Sequence, residues 1–413
     1  MLIVQKFGGS SVANAERILN VAKRITDTYS KGNKVVVVLS AQGDTTDELT
    51  EKAKEITDRA SKRELDMLLT TGEQQSVALM ALAIQKLGYP AISLTAAQAG
   101  IHSTSTYGNA RIKDIDTSRI LSELERNNIV LIAGFQGINR YGDITTLGRG
   151  ASDTTAAAIA AVLHADLCEI YSDVSGVYTA DPRVVKDAVK LNAISYEEML
   201  ELASLGVQVL HNRSVEMAKR YKVNLVVRSS FTDEEGTLIK EKVTGMEKLY
   251  VSGIAVDDKI ASISVMGVES VPGKAYQVFS LLAKEKISVD IILQSISRFG
   301  KEDMSFTVSK DDLKQALAIL EKHSEEIGYE GLSFDDDVAK LSIVGAGMAS
   351  NSGVASMMFE ALYDCGIYIK LISTSEIKIS VLIDKKHIER AMAAVHDRFI
   401  GSHLELYREV GKV

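Results

Sequence analysis

Leu2-Ile3-Val4-Gln5-Lys6-Phe7-Gly8-Gly9-Ser10-Ser11 opens the chain with a short apolar run, a lysine, two glycines and two serines, and a helical pattern follows. The run reads as a buried strand. The adjacent glycines let a backbone approach a ligand closely, and the serines are placed to cap the next helix. Free N–H groups at a helix start attract phosphate, and Lys6 supplies positive charge. An ordinary strand-to-helix turn would read the same way, so the remaining sequence has to decide.

Outward from this stretch, strands alternate with helices as far as Phe231. Strands are expected at Leu2–Lys6, Lys34–Ser40, Ala91–Leu94, Ile129–Ala133, Leu167–Ser172 and Asn224–Arg228. Helices are expected at Ala13–Tyr29, Leu65–Lys86, Ile115–Asn127, Asp153–His164, Tyr196–Leu205 and Ser214–Tyr221. Several strands are near-continuous apolar runs, as strands covered on both faces are. The pattern predicts an α/β layer fold, an αβα sandwich with a mainly parallel sheet. Tyr141-Gly142-Asp143 reads as the turn of an inserted hairpin.

A charged connector, 232–248, follows, and then an internal repeat. Ile263-Ser264-Val265-Met266-Gly267 returns as Leu341-Ser342-Ile343-Val344-Gly345, and Val289-Asp290-Ile291-Ile292 as Ile369-Lys370-Leu371-Ile372. Each copy reads βαββαβ, the ferredoxin-like split motif, with a weak closing strand. The expected division is a first domain over 1–231, a first repeat region over 249–335 and a second over 336–413. An extra strand at Leu249–Val256 is expected to join one of the repeat sheets, with the second as a candidate. Met246 stands at the junction, where a separately translated second chain could begin.

The 413 residues carry a net charge of −8, which argues against a broad nucleic-acid or acidic-membrane surface. Only Cys168 and Cys365 occur, without metal-ligand or disulfide spacing, and a reducing cytoplasm fits. No signal peptide is visible, and the small-apolar run Ala156–Ala165 is too short to span a bilayer. The Walker A pattern is missing. Val344-Gly345-Ala346-Gly347-Met348-Ala349 mimics a dinucleotide fingerprint, but too little chain remains for that fold, and the repeat already explains it as a strand-to-helix turn.

Four further stretches carry chemistry. Thr145-Thr146-Leu147-Gly148-Arg149-Gly150-Ala151-Ser152-Asp153 flanks an arginine with glycines. Arg149 suits two-pronged gripping of carboxylate or phosphate, and Ser152 or Asp153 sits where an N-cap belongs. Leu69-Thr70-Thr71-Gly72-Glu73 places a glutamate in a glycine-interrupted helical pattern. Ser40-Ala41-Gln42-Gly43-Asp44-Thr45 follows a strand at the end where α/β sheets bind ligands. Tyr171-Ser172-Asp173-Val174-Ser175-Gly176-Val177-Tyr178-Thr179-Ala180-Asp181-Pro182-Arg183 does likewise.

Taken in order, KFGGSS, LSAQGDTTD, TTGEQQS, TTLGRGASDTT and YSDVSGVYTADPR resemble the aspartokinases of the amino-acid-kinase superfamily. VPGKAYQVF, SVDIILQS and LISTSEIKISVLI are similar to that family's paired ACT domains. The resemblance spans essentially the whole chain. It implies transfer of the ATP γ-phosphoryl group to the side chain of L-aspartate, giving 4-phospho-L-aspartate at the head of lysine, threonine and methionine biosynthesis. Lys6 and Asp153 then become the catalytic pair. Phe7, Gly8, Gly9, Ser10, Tyr171, Ser172, Asp173, Tyr178, Asp181, Pro182 and Arg183 fall on the nucleotide segments. Ser40, Thr45, Glu73, Arg149, Gly150, Ala151 and Ser152 fall on the aspartate pocket, with Glu73 toward the ammonium and Arg149 toward a carboxylate.

The resemblance also implies Mg²⁺ carried mainly on the nucleotide phosphates, and a homodimer or higher oligomer through the ACT domains. Lysine, threonine or both are the expected effectors, at Ser270, Gly273, Ala275, Asp290, Gln294 and Ile369. One departure stands out: Gln208 occupies a position where many relatives carry lysine, and Asn212 one where proline is frequent. An amide can donate a hydrogen bond but brings no charge. Two alternatives stay open, a kinase for glutamate, acetylglutamate or a carbamoyl group, and a non-catalytic ACT amino-acid sensor.

Overall fold

The computed structural model describes residues 1–148, 150–207, 209–243, 249–349 and 351–410. Its contacts divide the chain into two units. The first holds Met1–Tyr178, 189–243 and 405–410; the second holds Thr179–Ala188 and 249–404. The ten-residue segment Thr179–Ala188, read from sequence as part of the first domain, therefore packs with the second unit. Met246 and Gln208 lie outside the described residues, as does Arg149.

In chain order the first unit runs β1 (Leu2–Phe7), α1 (Ala15–Ser30), β2 (Lys34–Leu39), α2 (Thr45–Ile56), α3 (Lys62–Leu69), α4 (Thr71–Lys86) and β3 (Ala91–Leu94). There follow β4 (Ile101–Ser103), β5 (Ile112–Ile115), α5 (Ser118–Glu125), β6 (Ile129–Ala133), β7 (Gln136–Ile138), β8 (Ile144–Thr146) and α6 (Ala151–Val162). The unit's elements close with β9 (Leu167–Ser172), β10 (Ala193–Ser195), α7 (Tyr196–Ser204), α8 (Asn212–Tyr221), β11 (Leu225–Ser229) and β12 (Thr237–Lys240).

Eight strands form one sheet in the order β10-β12-β11-β9-β1-β2-β6-β3, parallel throughout except where β11 meets β12. β1 and β2 lie near its centre, and Val35 to Leu39 are fully buried, as the apolar runs predicted. Each such side chain withdrawn from water contributes roughly 1.5–3 kcal/mol before conformational entropy is charged against it. One face packs α1 and α4 over Phe7, Val35, Val37 and Leu131. The other face packs α6, whose residues Ala151 to Ala161 are all buried. Its small side chains let a helix lie close to the sheet while α8 packs on top. The inserted hairpin β7–β8 joins β4 and β5 in a separate small sheet.

Local readings fail where tertiary contacts intervene. Leu65–Lys86 is not one helix: α3 and α4 break at Thr70. The serines at 10 and 11 cap nothing. A 3₁₀ turn spans Gly9–Val12, and Asn14 caps α1 by accepting from the Arg17 N–H at 3.0 Å. Gly150, in the left-handed region, caps α6, so Ser152 and Asp153 sit inside the first turn instead.

The second unit contains β13 (Gly253–Asp257), β14 (Ile260–Glu269), α9 (Lys274–Lys284), β15 (Val289–Gln294), β16 (Lys301–Ser309), α10 (Leu313–Lys322), α11 (Ser324–Ile327) and β17 (Gly331–Asp335). It continues with β18 (Val338–Val344), α12 (Val354–Asp364), β19 (Leu371–Thr374), β20 (Lys378–Asp384) and α13 (Ile388–Phe399). Its two sheets run β15-β16-β14-β17 and β13-β18-β20-β19. The first repeat closes with its own β17, antiparallel to β14. After α13 no closing strand is found among the described residues. β13, which precedes both repeats, takes the equivalent edge beside β18. Ile260, Ile291, Val338, Leu371 and Leu382 form one buried cluster drawn from both sheets. No described helix is long and apolar enough to cross a membrane.

Candidate active site

Parallel strands present their carboxyl ends on one edge, and β1, β2 and β6 deliver three loops there. The Gly9 carbonyl accepts from the Gly43 N–H at 3.0 Å, locking the first loop to the second. A Cβ on Gly9 would lie 2.7 Å from the Ala41 oxygen, so only glycine permits this approach. A Cβ on Gly134, after β6, would meet Ser152 Oγ at 2.7 Å, which sets the third loop against the start of α6.

Alternation along β1 sends Lys6 toward α6 and Phe7 toward α1. Lys6 Nζ stands 2.7 Å from Asp153 Oδ1, with each side chain about 11% exposed. The approach misses hydrogen-bond geometry, so Oδ1 remains buried without a directed donor. The attraction is Coulombic, in surroundings where charge is poorly screened. A Cβ on Gly8 would come within 3.4 Å of the same ammonium. Lys6, Gly8, Gly9 and Asp153 thus meet as the sequence led one to expect.

Glu73, on α4, is 3% exposed. Its Oε1 accepts from the Ala41 N–H at 3.1 Å, while Oε2 is buried with no partner among the described residues. Burial pushes its carboxyl up to about 7, against the smaller opposing effect of the Ala41 hydrogen bond. An acid so placed holds its charge best beside a cation. Thr45 opens α2 and Ser40 follows β2, its N–H bonded to the Phe7 oxygen at 3.2 Å. These residues and Ser152 surround the end of β2. Gly150 and Ala151 precede Ser152 at the start of α6.

The segment expected to hold the nucleotide is divided. Phe7 and Tyr171 stack, with ring centroids 4.5 Å apart, on the α1 face away from Lys6. Their link to the loop is through the backbone, where the Gly8 N–H donates to the Tyr171 oxygen at 3.2 Å. Ser172 accepts from the Ser230 N–H through its own carbonyl at 2.9 Å. Asp173 and Tyr178 remain with the first unit, whereas Asp181, Pro182 and Arg183 pack with the second. The exposed Arg183 guanidinium clasps Asp181 Oδ2 at 2.6 Å and holds that carboxyl below the usual range.

In the second unit, Ser270 Oγ donates to Glu302 Oε2 at 3.2 Å and Gln294 Nε2 to Glu302 Oε1 at 2.6 Å. Two expected effector residues therefore converge on a nearly buried glutamate that sequence reasoning missed. Gly273 caps α9 in the left-handed region, and Ala275 lies in that helix's first turn. Asp290 pairs with Lys340, a 4%-exposed lysine on β18, so its carboxylate already has a cation. Ile369 is half-buried just before β19.

Two supporting residues also escaped the sequence. Arg213, opening α8, donates from Nη1 to the Leu147 oxygen at 2.7 Å and from Nη2 to the Ala110 oxygen at 3.2 Å. Asp66, on α3, accepts from Thr146 and Gly108. A charged residue inside Leu65-Asp66-Met67-Leu68-Leu69 was the available hint for the second.

Known proteins resemble this chain along nearly its whole length. The model of the amino acid kinase family matches residues 1–229, and that of the ACT domain matches 263–323 and 341–399. The chain is 51% identical over 398 residues to the aspartokinase of Bacillus sp. (strain MGA3), covering 96% of this chain and 97% of that one. It is 50% identical to aspartokinase 2 of Bacillus subtilis (strain 168) over the same shares. Aspartate kinase from Synechocystis is a solved structure similar to it, with 43% identity and a TM-score of 0.55, covering 97% of this chain and 69% of that one. E. coli aspartokinase III, solved with aspartate and ADP, matches at a TM-score of 0.80 over 96% and 99%, a likeness of fold at 23% identity. The chain belongs to the aspartokinases, within the amino acid kinase family.

Proposed function

We propose that the edge bounded by Lys6, Glu73, Ser152 and Asp153 carries out phosphoryl transfer from ATP to the side-chain carboxylate of L-aspartate. The observation that supports this most is the buried Lys6–Asp153 pair beside Gly8 and Gly9. The acceptor's pKa is near ~4, so it is already an anion at neutral pH and needs no general base. The barrier is electrostatic, since an anion attacks a polyanion. Lys6 neutralises the phosphoryl group in transit, and the backbone N–H groups of Gly9 and Ser10 receive its oxygens, the Gly8 N–H being held by the Tyr171 oxygen. Asp153 orients Lys6 and takes no proton. Glu73 Oε2 receives the aspartate ammonium, and Arg149 a carboxylate.

Among the described residues no group of three His, Cys, Asp or Glu side chains could hold a metal ion. Mg²⁺ enters on the nucleotide phosphates, the way this small, strongly hydrated ion is usually bound, and neutralises charge there. The Asp173–Arg183 stretch receives the nucleotide. The ACT unit binds lysine, threonine or both around Ser270, Gly273, Asp290 and Gln294, and pairs with a second copy of the chain.

A coupled ADP-release assay tests this reading with aspartate, glutamate and acetylglutamate as acceptors, and with lysine and threonine alone and together. Turnover with aspartate, reduced by an effector, is expected. Preference for another acceptor would overturn the assignment, and kinetics unmoved by saturating effectors would overturn the regulatory part.

A further inference from the structure

We infer that Asp66 is a positioning residue that spaces the two sides of the aspartate pocket, an inference that rests on the aspartate-kinase reading above. Asp66 is 1% exposed. Oδ2 accepts from the Thr146 N–H at 2.9 Å and the Gly108 N–H at 2.9 Å, and Oδ1 accepts from the Thr146 hydroxyl at 2.7 Å. Among the described residues no cation pairs with it. A carboxylate withdrawn from water is costly unless its lone pairs are met, and here backbone and hydroxyl donors meet them.

What it joins gives the contact a role beyond stability. Asp66 lies on α3, which turns at Thr70 into α4, and Glu73 is in the first turn of α4. Thr146 ends β8, and the chain then passes through Leu147, Gly148 and Arg149 to Ser152 and Asp153 at the start of α6. One carboxylate thus ties the helix pair bearing the ammonium acceptor to the strand feeding the opposite wall. Other contacts run the same way. Gln136 Nε2, on β7, donates to the Thr70 oxygen at 3.2 Å. Arg63, also on α3, pairs with Asp143 in the hairpin turn at 3.0 Å. Beyond Thr146, Leu147 packs with Ala110 and Ala151 in a small buried cluster, so displacement of β8 would carry to α6. The ATP loop at Gly8 and Gly9 is built on β1 and β2, which Asp66 does not touch.

The latch therefore predicts a split between the two substrates. Asp66→Asn turns one acceptor oxygen into an amide that faces N–H donors. KM for aspartate should rise about tenfold or more, because a misplacement of about 1 Å in positioned groups can cost up to about 10²-fold, while KM for ATP stays within about twofold. Thr146→Val removes only the hydroxyl donor and should raise KM for aspartate by about threefold to tenfold, with Thr146→Ser restoring it. Melting temperatures measured alongside keep the Thr146 pair decisive if Asp66→Asn folds poorly. Parallel rises in both KM values, unchanged KM for aspartate, or no recovery in Thr146→Ser would overturn the inference. A wild-type enzyme that does not phosphorylate aspartate would instead remove the reading on which it rests.

Discussion

Lys6 and Asp153 face each other across 2.7 Å between the end of the central strand and the first turn of a helix buried from Ala151 to Ala161. Lys6→Ala should lower kcat by about 10²-fold or more, the scale seen when one transition-state charge donor is lost, while effector binding persists by calorimetry. Asp153→Asn should lower kcat less and leave the acidic limb of the rate profile in place. An acidic limb that moves in this variant would make Asp153 a proton acceptor.

If Glu73 receives the aspartate ammonium as proposed, aspartate binding should depend on pH. Its carboxyl titrates near 7 in the folded chain, and pairing with an ammonium requires the ionised form. KM for aspartate should therefore climb as pH falls below about 7, approaching about tenfold per unit, and Glu73→Gln should flatten that slope.

The same shift costs stability, with a definite sign. Between the ordinary value of 4.5 and about 7 the unfolded chain releases a proton that folded Glu73 retains, so stability falls over that window and stays reduced above it. The penalty is on the order of 3 kcal/mol, taking about 1.4 kcal/mol per unit. Glu73→Gln should raise the urea midpoint at pH 8 and lose most of that advantage at pH 5.

His396 should make the second unit acid-sensitive. Its Nε2 lies 3.0 Å from Thr179 Oγ1 in a buried contact, and burial lowers its pKa against weaker raising effects of Asp187 and Asp397. Below about 6.5 the unfolded chain gains a proton that folded His396 resists, so stability should fall with pH until the folded value is passed. Proteolysis in Thr179–Ala188 should quicken from pH 7 to pH 5.5, and His396→Gln should blunt the change.

Lys340 pairs with Asp290. If that carboxylate receives an effector's ammonium, Lys340→Gln should lower the half-inhibiting effector concentration severalfold. An unchanged concentration with a lower melting temperature would leave Asp290 a structural partner only.

The layer order, the parallel sheet and the repeat were legible because period and burial agree along β1, β2, β6 and β14. Lys6, Gly8 and Gly9 stood out because a close-approach turn carries a lone charge, whereas Glu73 and the role of Asp153 came only with the resemblance of their motifs to the family. Caps and breaks were not legible: Asn14 outcompeted Ser10 and Ser11, and the break at Thr70 interrupts a pattern that reads as continuous. Asp66, Arg213 and Glu302 escaped because their partners are backbone groups or side chains remote in sequence, which no local pattern encodes. The attachment of Thr179–Ala188 to the second unit was hidden for the same reason.

The loan of β13 to the second repeat's sheet has a consequence for dissection of the regulatory half. The repeats lie in tandem, yet cutting between them cannot yield two whole modules. A fragment beginning at Ile260 would carry an intact first sheet, but β18 would be left with an unpaired edge inviting chain-to-chain annealing. A fragment beginning at Met246 would keep the borrowed strand. Gene truncation, domain grafting or tag insertion must therefore treat everything from Gly253 to Phe399 as one inseparable module.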